Sequence, residues 1–252
     1  MWTLFSAAYW AFVVLTVPLL FAGALAVFLV TAPFDRRRVA LHLYSCLWGS
    51  FYVVANPLWA LSVDGRGRLP WKGAAVLVAN HLSLLDILVL YGLFRPFKWV
   101  SKAEMFRVPF IGWNMRLNEY VALRRGDRDS IRQMMDHCRA HLARGVPVLI
   151  FPEGTRSRDG RLQAFKDGAF RLAAEVGCPV VPIVVAGTSD ALPKHGLVLR
   201  RRMRAEVRVL DPVRPEDHAT VDALREATRA RIAAALPEAN RPAAPEAVAD
   251  RA

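Results

Sequence analysis

Ala74-Ala-Val-Leu-Val-Ala79 is a short apolar run that feeds directly into Asn80-His-Leu-Ser-Leu-Leu-Asp86. Six apolar residues without alternation describe a strand buried on both faces, the kind found inside an α/β sheet. Residues 146–151 and 179–185 read the same way. Between these runs Ile131, Met134, Met135, Cys138 and Leu142 recur at helical spacing, beginning after residues 127–130 and stopping at Gly145, as capping chemistry requires. That stripe is core, not a cofactor site. Ala205, Val207 and Val209 alternate with Arg204, Glu206 and Arg208, which marks a half-buried strand near the end of the sheet. A last helix is expected over residues 220–235. The fold class is therefore α/β, with a mixed, largely parallel sheet flanked by helices over residues 64–236. Pro237, Pro242 and Pro245, interleaved with Ala and charge, predict a flexible tail over 237–252.

The N-terminal third differs. Residues 1–34 carry no charged side chain, and 11–32 alone supply 22 predominantly apolar residues, where about 20 suffice to span a bilayer as a helix. Ala22-Gly23-Ala24 offers the small residues of a signal-peptide cleavage site, but the start lacks Lys and Arg and the apolar run is too long. Pro18 would kink a membrane helix without abolishing it. Arg36, Arg37 and Arg38 follow at once and should remain cytoplasmic, which puts the N-terminus outside and the main domain inside. Residues 39–63 form a second apolar stretch containing Trp48, Tyr52 and Trp59. A second crossing would export the domain, so this stretch reads as a helix along the cytoplasmic leaflet with its rings at headgroup level, or as part of a re-entrant pair confined to one leaflet. Residues 1–63 are thus expected to be membrane-anchoring helices.

The chain has 252 residues, 54% of them hydrophobic, and a mean hydropathy of +0.23, which excludes a disordered or fibrous protein. Lys and Arg number 34 against 22 Asp and Glu. Residues 64–252 hold 31 of those bases and 21 of the acids, an excess that favours an anionic partner such as a membrane surface or a phosphorylated substrate. The basic residues form no recognised nucleic-acid module. Cys46, Cys138 and Cys178 are scattered without a CxxC pair, so neither a disulfide framework nor a structural zinc site is indicated. A reducing compartment fits this usage.

Two clusters at strand ends carry the candidate chemistry. In the first, His81 and Asp86 stand five positions apart. A carboxylate that holds an imidazole in one tautomer suits a general base; equally, Ser83-Leu-Leu-Asp86 matches a capping box, in which Asp86 would close a helix N-terminus. The second is Phe151-Pro-Glu-Gly-Thr-Arg-Ser157, followed by Phe165-Lys-Asp-Gly-Ala-Phe170. Gly154 permits a tight turn and the Arg156 guanidinium can grip phosphate oxygens in a fork. His137 and His141, at i and i+4, lack a third metal ligand and read as a solvated helix face. His195 reads as a loop residue near the mouth of the site. No metal and no cofactor is expected.

These residues resemble the glycerophospholipid acyltransferases, the family that includes 1-acyl-glycerol-3-phosphate acyltransferases, over roughly residues 74–190. Asn80-His81-x4-Asp86 resembles the family's H-x4-D catalytic motif, and Phe151-Pro-Glu-Gly-Thr-Arg-Ser157 its acceptor-binding motif. Lys102, Glu104, Pro109 and Gly112 are similar to an intervening K-x-E-L-x-x-x-P-x-x-G pattern, and Val181-Pro-Ile183 to a fourth motif. Many relatives carry an Asp-Arg pair where this chain has Arg124-Arg125, so Arg125 matches and Arg124 replaces the acid.

The resemblance implies transfer of a fatty acyl group from a thioester on coenzyme A or acyl carrier protein to the sn-2 hydroxyl of 1-acyl-glycerol-3-phosphate, forming phosphatidate. His81 would be the general base and Asp86 would orient it; Lys102, Arg125 and Arg156 would bind the acceptor phosphate, with Glu153, Gly154 and Thr155 shaping the acceptor loop. The implied partners are a membrane lipid acceptor, the thioester donor and an anionic membrane surface, on the cytoplasmic side of a bacterial inner membrane. A related lysolipid acceptor, an acyl-enzyme on Ser83, a thioesterase using the same dyad and a non-enzymatic basic scaffold are the competing readings.

Overall fold

The structure, a computed structural model, describes residues 2–189, 191–192, 198–199 and 202–242; the expectations for His195 and for residues 243–252 lie outside the described residues. Among the described residues, β1 (Trp59–Asp64), β2 (Val76–Ala79), β3 (Lys98–Lys102), β4 (Val121–Leu123), β5 (Val148–Ile150), β6 (Val180–Ala186) and β7 (Met203–Val209) form one sheet ordered β1-β7-β6-β2-β5-β3-β4. The central pairings, β6 with β2, β2 with β5, β5 with β3 and β3 with β4, are all parallel. β7 runs antiparallel to β6, and β1 parallel to β7. The sheet is mixed and largely parallel, as the apolar runs predict.

Alternation along β2 divides the core. Val76 and Val78 join the cluster beneath α5 (Arg128–Ala143), α6 (Gly168–Val176) and α7 (Val221–Ala235), whereas Leu77 and Ala79 join the one beneath α3 (Asp86–Tyr91). The caps are those the sequence signals: the Asp127 side chain accepts from Ser130 N at 3.0 Å, and Thr220 accepts from Ala223 N at 3.1 Å. His141 corrects the expectation of a solvated pair. His137 is exposed, but His141 is buried, with Nε2 2.9 Å from Glu119 O and Nδ1 2.8 Å from Arg144 Nη2.

The apolar N-terminal third departs most from its reading. α1 (Trp2–Thr31) continues through Pro18 and, at 1.5 Å per residue, is about 45 Å long. Residues 39–63 are not one helix: α2 (Val39–Val54) ends before Asn56-Pro57, and Trp59, Leu61 and Val63 turn inward on the edge strand β1. Period-2 alternation in that strand was masked by the apolar run before it. Trp48, Tyr52 and Trp59 are buried rather than at headgroup level, because α2 is sandwiched between α1 and the sheet domain.

Polar contacts fix that sandwich. His42 Nδ1 lies 2.7 Å from Tyr120 Oη, and the carboxamides of Asn114 and Asn118, on and just after α4 (Ile111–Leu117), donate to Ser45 Oγ at 3.0 and 3.1 Å. Gly49 lets α2 approach α3; a Cβ there would lie 2.6 Å from the Tyr91 ring. α1 lies over α2, with Tyr9 Oη donating to Tyr52 O at 2.8 Å and Tyr44 Oη to Leu20 O at 3.0 Å. It also meets the domain directly: Leu199 N donates to Ser6 Oγ at 2.8 Å, Tyr9 meets Trp59, and Phe21 meets Phe110 and Trp113. Leu4, Val14, Leu15, Leu19, Leu29 and Val30 stay exposed on its outer side.

Residues 237–242, read as the start of a flexible tail, fold back onto the domain through Asn240.

At the base of the sheet Lys98 is buried, its Nζ donating to Asn118 O at 2.6 Å, and burial pushes its pKa down to about 7. The unfolded chain, with an ordinary lysine, binds the proton more tightly between pH 7 and 10.5, so this group makes stability rise with pH across that window. Denaturation in detergent should show the rise in the wild type and its loss in Lys98→Met. Gly49→Ala should destabilise by about 1–3 kcal/mol through overpacking against Tyr91, read by the same melts.

Candidate active site

Parallel pairing puts the C-terminal ends of β6, β2, β5, β3 and β4 on one edge of the sheet, and every candidate residue emerges there. β2 leads to Asn80 and His81, β5 to residues 151–157, β6 to Gly187 and Thr188; β3 ends at Lys102, and Arg124 and Arg125 follow β4. Asn80 ties the ends of β2 and β6 together. Its side chain donates to Val185 O and accepts from Val185 N, both at 2.8 Å, extending the β2–β6 pairing by a carboxamide that imitates backbone.

His81 Nδ1 stands 2.8 Å from Asp86 Oδ2. The same oxygen accepts from Leu82 N at 2.7 Å and Ser83 N at 2.9 Å, while Oδ1 accepts from Thr188 Oγ1 at 2.5 Å. An oxygen that already accepts two amides takes a third hydrogen from the imidazole, so Nδ1 carries the proton and Nε2 is left as an acceptor. The Asp86 carboxylate reaches back to Ser83 N as in a capping box and also holds the His81 ring. The Ser83 hydroxyl is buried and donates to Leu192 O at 2.8 Å.

His81 is fixed from two more directions. Its ring stacks on Phe151, centroids 4.0 Å apart at 16°, and its backbone N–H donates to Glu153 Oε1 at 2.7 Å. Glu153 Oε2 accepts from Gln163 N at 3.1 Å, so both oxygens of this buried carboxyl serve the backbone and it shapes the loop. Burial pushes its pKa up to about 7, against the pull of the two amides. Ser157 N donates to His81 O at 2.9 Å, closing the loop against the histidine.

Gly154 has φ +71°, which favours glycine, and a Cβ there would meet Lys166 Nζ at 2.9 Å. Thr155 and Arg156 follow it, half-buried. Lys102 is half-exposed and paired with Glu104 Oε1 at 3.3 Å, and Arg125 is exposed in the turn before α5. With strands about 4.8 Å apart, Lys102 leaves the edge roughly 10 Å from β2 and Arg125 roughly 14 Å. The structure therefore gathers His81, Asp86, Glu153 and Gly154 closely and sets Lys102 and Arg125 farther along the same edge. Sequence reasoning missed Thr188, which had only a Gly-Thr after the third apolar run to mark it, and it placed Lys166 in the second cluster without a role.

The family model described as Acyltransferase matches residues 60–186, from β1 to the end of β6. A 1-acyl-sn-glycerol-3-phosphate acyltransferase of Chlamydomonas reinhardtii is 40% identical over 230 residues, covering 90% of this chain and 68% of that one. This chain belongs to the acyltransferase family. A chloroplastic 1-acyl-sn-glycerol-3-phosphate acyltransferase of Arabidopsis thaliana is 36% identical over 203 residues, and the match spans 79% of this acyltransferase but about half, 55%, of that relative. The fold is also that of the 1-acyl-sn-glycerophosphate acyltransferase PlsC of Thermotoga maritima, with a TM-score of 0.73 at 24% identity, over 91% of this chain and 92% of that one.

The four donors around Asp86 give this acyltransferase a stability test. Asp86→Ala strands buried donors and should cost about 3 kcal/mol or more, since each unsatisfied group costs about 1–3 kcal/mol. Asp86→Asn can keep its oxygen toward the three N–H groups and donate to Thr188 Oγ1, so its loss should be about 1 kcal/mol. Chemical denaturation of the two variants distinguishes these costs.

Proposed function

We propose that this acyltransferase moves a fatty acyl group from an acyl thioester, on coenzyme A or acyl carrier protein, to the sn-2 hydroxyl of 1-acyl-glycerol-3-phosphate, producing phosphatidate. The observation that carries the reading is the His81–Asp86 pair, 2.8 Å apart, at a strand end beside the loop that bears Arg156. Nε2 of His81 takes the acceptor's hydroxyl proton as that oxygen attacks the thioester carbonyl, and the imidazolium returns the proton to the departing thiolate. Asp86 keeps Nδ1 protonated and stabilises the imidazolium, and Thr188 holds Asp86 in turn. Transfer is direct; an acyl-enzyme on Ser83 would need a hydroxyl that is buried and engaged with Leu192 O. Arg156, with Lys102 and Arg125 along the edge, suits a phosphate monoester of nearly two negative charges. The names of the relatives from Chlamydomonas and Arabidopsis favour this acceptor.

The protein sits at a membrane on the cytoplasmic side, through the apolar outer face of α1. The contacts of α1 with the domain at Ser6, Tyr9 and Phe21 favour a helix pair within one leaflet over a helix that leaves the domain to cross. Arg36, Arg37 and Arg38, in the turn between the helices, add attraction for anionic headgroups.

In micelles, thioester consumption should accelerate strongly on adding lysophosphatidate. His81→Ala should reduce turnover by about a hundredfold or more with little change in melting temperature. Asp86→Asn and Thr188→Val should lower kcat, whereas Arg156→Ala should raise the acceptor KM far more than the donor KM. Equal rates on a lysolipid without a phosphate monoester would overturn the acceptor assignment, and acceptor-independent consumption would favour a thioesterase. Leu15→Glu with Leu19→Glu should shift the protein from the membrane pellet toward the supernatant; full sedimentation would argue against the outer face of α1 as the anchor.

A further inference from the structure

The stretch between β5 and α6, residues 151–167, contains no helix or strand. Connections of that length inside a compact domain are functional or disordered. This one is held at its root by contacts already tied to His81: Ser157 N donates to His81 O, Gln163 N to Glu153 Oε2, and Arg229 Nε of α7 to Gln163 O at 3.0 Å. Its outer crossing, residues 158–162, is stiffened by Asp159, whose Oδ1 accepts from Ser157 Oγ at 2.9 Å and Arg161 N at 3.0 Å, and turns at Gly160 with φ +79°.

That crossing has a second hold from the far end of the sequence. Asn240 Nδ2 donates to Gly160 O at 2.8 Å, and Asn240 O accepts from Leu162 N at 2.9 Å. The segment that presents Asn240 is itself stiff: Pro237 opens a single 3-10 turn, Glu238–Asn240, closed by Asn240 N to Pro237 O at 2.8 Å, and Arg241 Nε donates to Leu236 O at 3.1 Å. A side chain with both a donor and a neighbouring carbonyl used on one loop is a clasp rather than a passing tail.

From this geometry we infer that Asn240 is a positioning residue of the acceptor site, fastening the loop that carries Arg156 so that the guanidinium is preorganised for the acceptor phosphate. The inference rests on the acyltransferase reading above. Released at Gly160, residues 158–162 would sample more conformers, and ordering them would weigh against acceptor binding. The dyad would keep its geometry, because Ser157, Glu153 and Phe151 hold His81 independently of the crossing. The effect should therefore fall on the acceptor KM and spare kcat.

Asn240→Ala removes the donor to Gly160, and Asn240→Asp removes it at nearly constant shape. Both should raise the lysophosphatidate KM by about threefold to tenfold, the scale of one hydrogen bond, with kcat and the donor KM within about twofold. A readout independent of activity is tryptic cleavage after Arg158 and Arg161, followed by mass spectrometry of the full chain, and it should be faster in both variants. Faster cleavage with an unchanged acceptor KM would overturn the acceptor role, as would an equal rise in both KM values. Unchanged cleavage and KM would overturn the clasp itself. A wild type without lysophosphatidate-dependent thioester consumption would instead overturn the functional reading, and the acceptor role with it, whatever the cleavage rates.

Discussion

One buried carboxylate holds together the sheet edge that carries the candidate site. Asp86 has no solvent exposure and accepts from an imidazole, two backbone amides and a hydroxyl that come from two separate loops. Burying such a group is costly unless its acceptor capacity is filled, and here it is filled by the ends of β2 and β6 together. Neither loop alone supplies enough donors. The carboxamide of Asn80 on Val185 and the Ser83 hydroxyl on Leu192 align the same pair of loops, so the ligands of Asp86 are positioned before the histidine is considered. A carboxylate that reaches back to Ser83 N and holds the His81 ring at once makes a choice between capping a helix and orienting an imidazole unnecessary for Asp86.

How far this was legible in the sequence follows from the range of each interaction. Buried parallel strands announce themselves as continuous apolar runs, and β2, β5 and β6 were read with ends shifted by one or two residues. His81, Asp86, Glu153 and Gly154 were legible because each lies next to such a run. Thr188 was not, because its role exists only once β6 is placed beside β2, a pairing across about a hundred residues. Asn240 was hidden more deeply. Pro and Ala around it signal a tail, and nothing local reveals that Gly160 O is waiting for a donor.

Residues 39–63 depart from their reading for a different reason. Hydropathy measures how apolar a segment is but not what covers it, and lipid and protein satisfy an apolar side chain equally well. α1 and α2 are comparable in that respect, yet α2 is covered by α1 and the domain while much of α1 remains open. The distinguishing residues in α2 are its few polar ones. His42 and Ser45 lie one turn apart on a face that would be lipid-exposed in a free interfacial helix, and each meets a partner on the domain.

Those partners explain why the helix pair docks in one register. Apolar packing is non-directional, and a smooth helix such as α1 could slide or rotate at little cost. The Ser45 hydroxyl accepting from Asn114 and Asn118, and His42 against Tyr120, leave buried polar groups unpaired in any other register. Lys98 Nζ adds to this from β3 by holding Asn118 O, and Arg37 Nη1 reaches Gly145 O from the turn between the helices. Polar groups therefore clamp the sheet at both edges, with apolar contacts between them. At one edge the clamp is Asp86 and its donors, which present His81; at the other it is this cluster, which turns the apolar side of α1 outward. Fixing the helices on the same rigid sheet that bears His81 gives the candidate site and the apolar outer face of α1 a constant relation. An enzyme whose acceptor is a lipid needs that relation more than it needs either element alone.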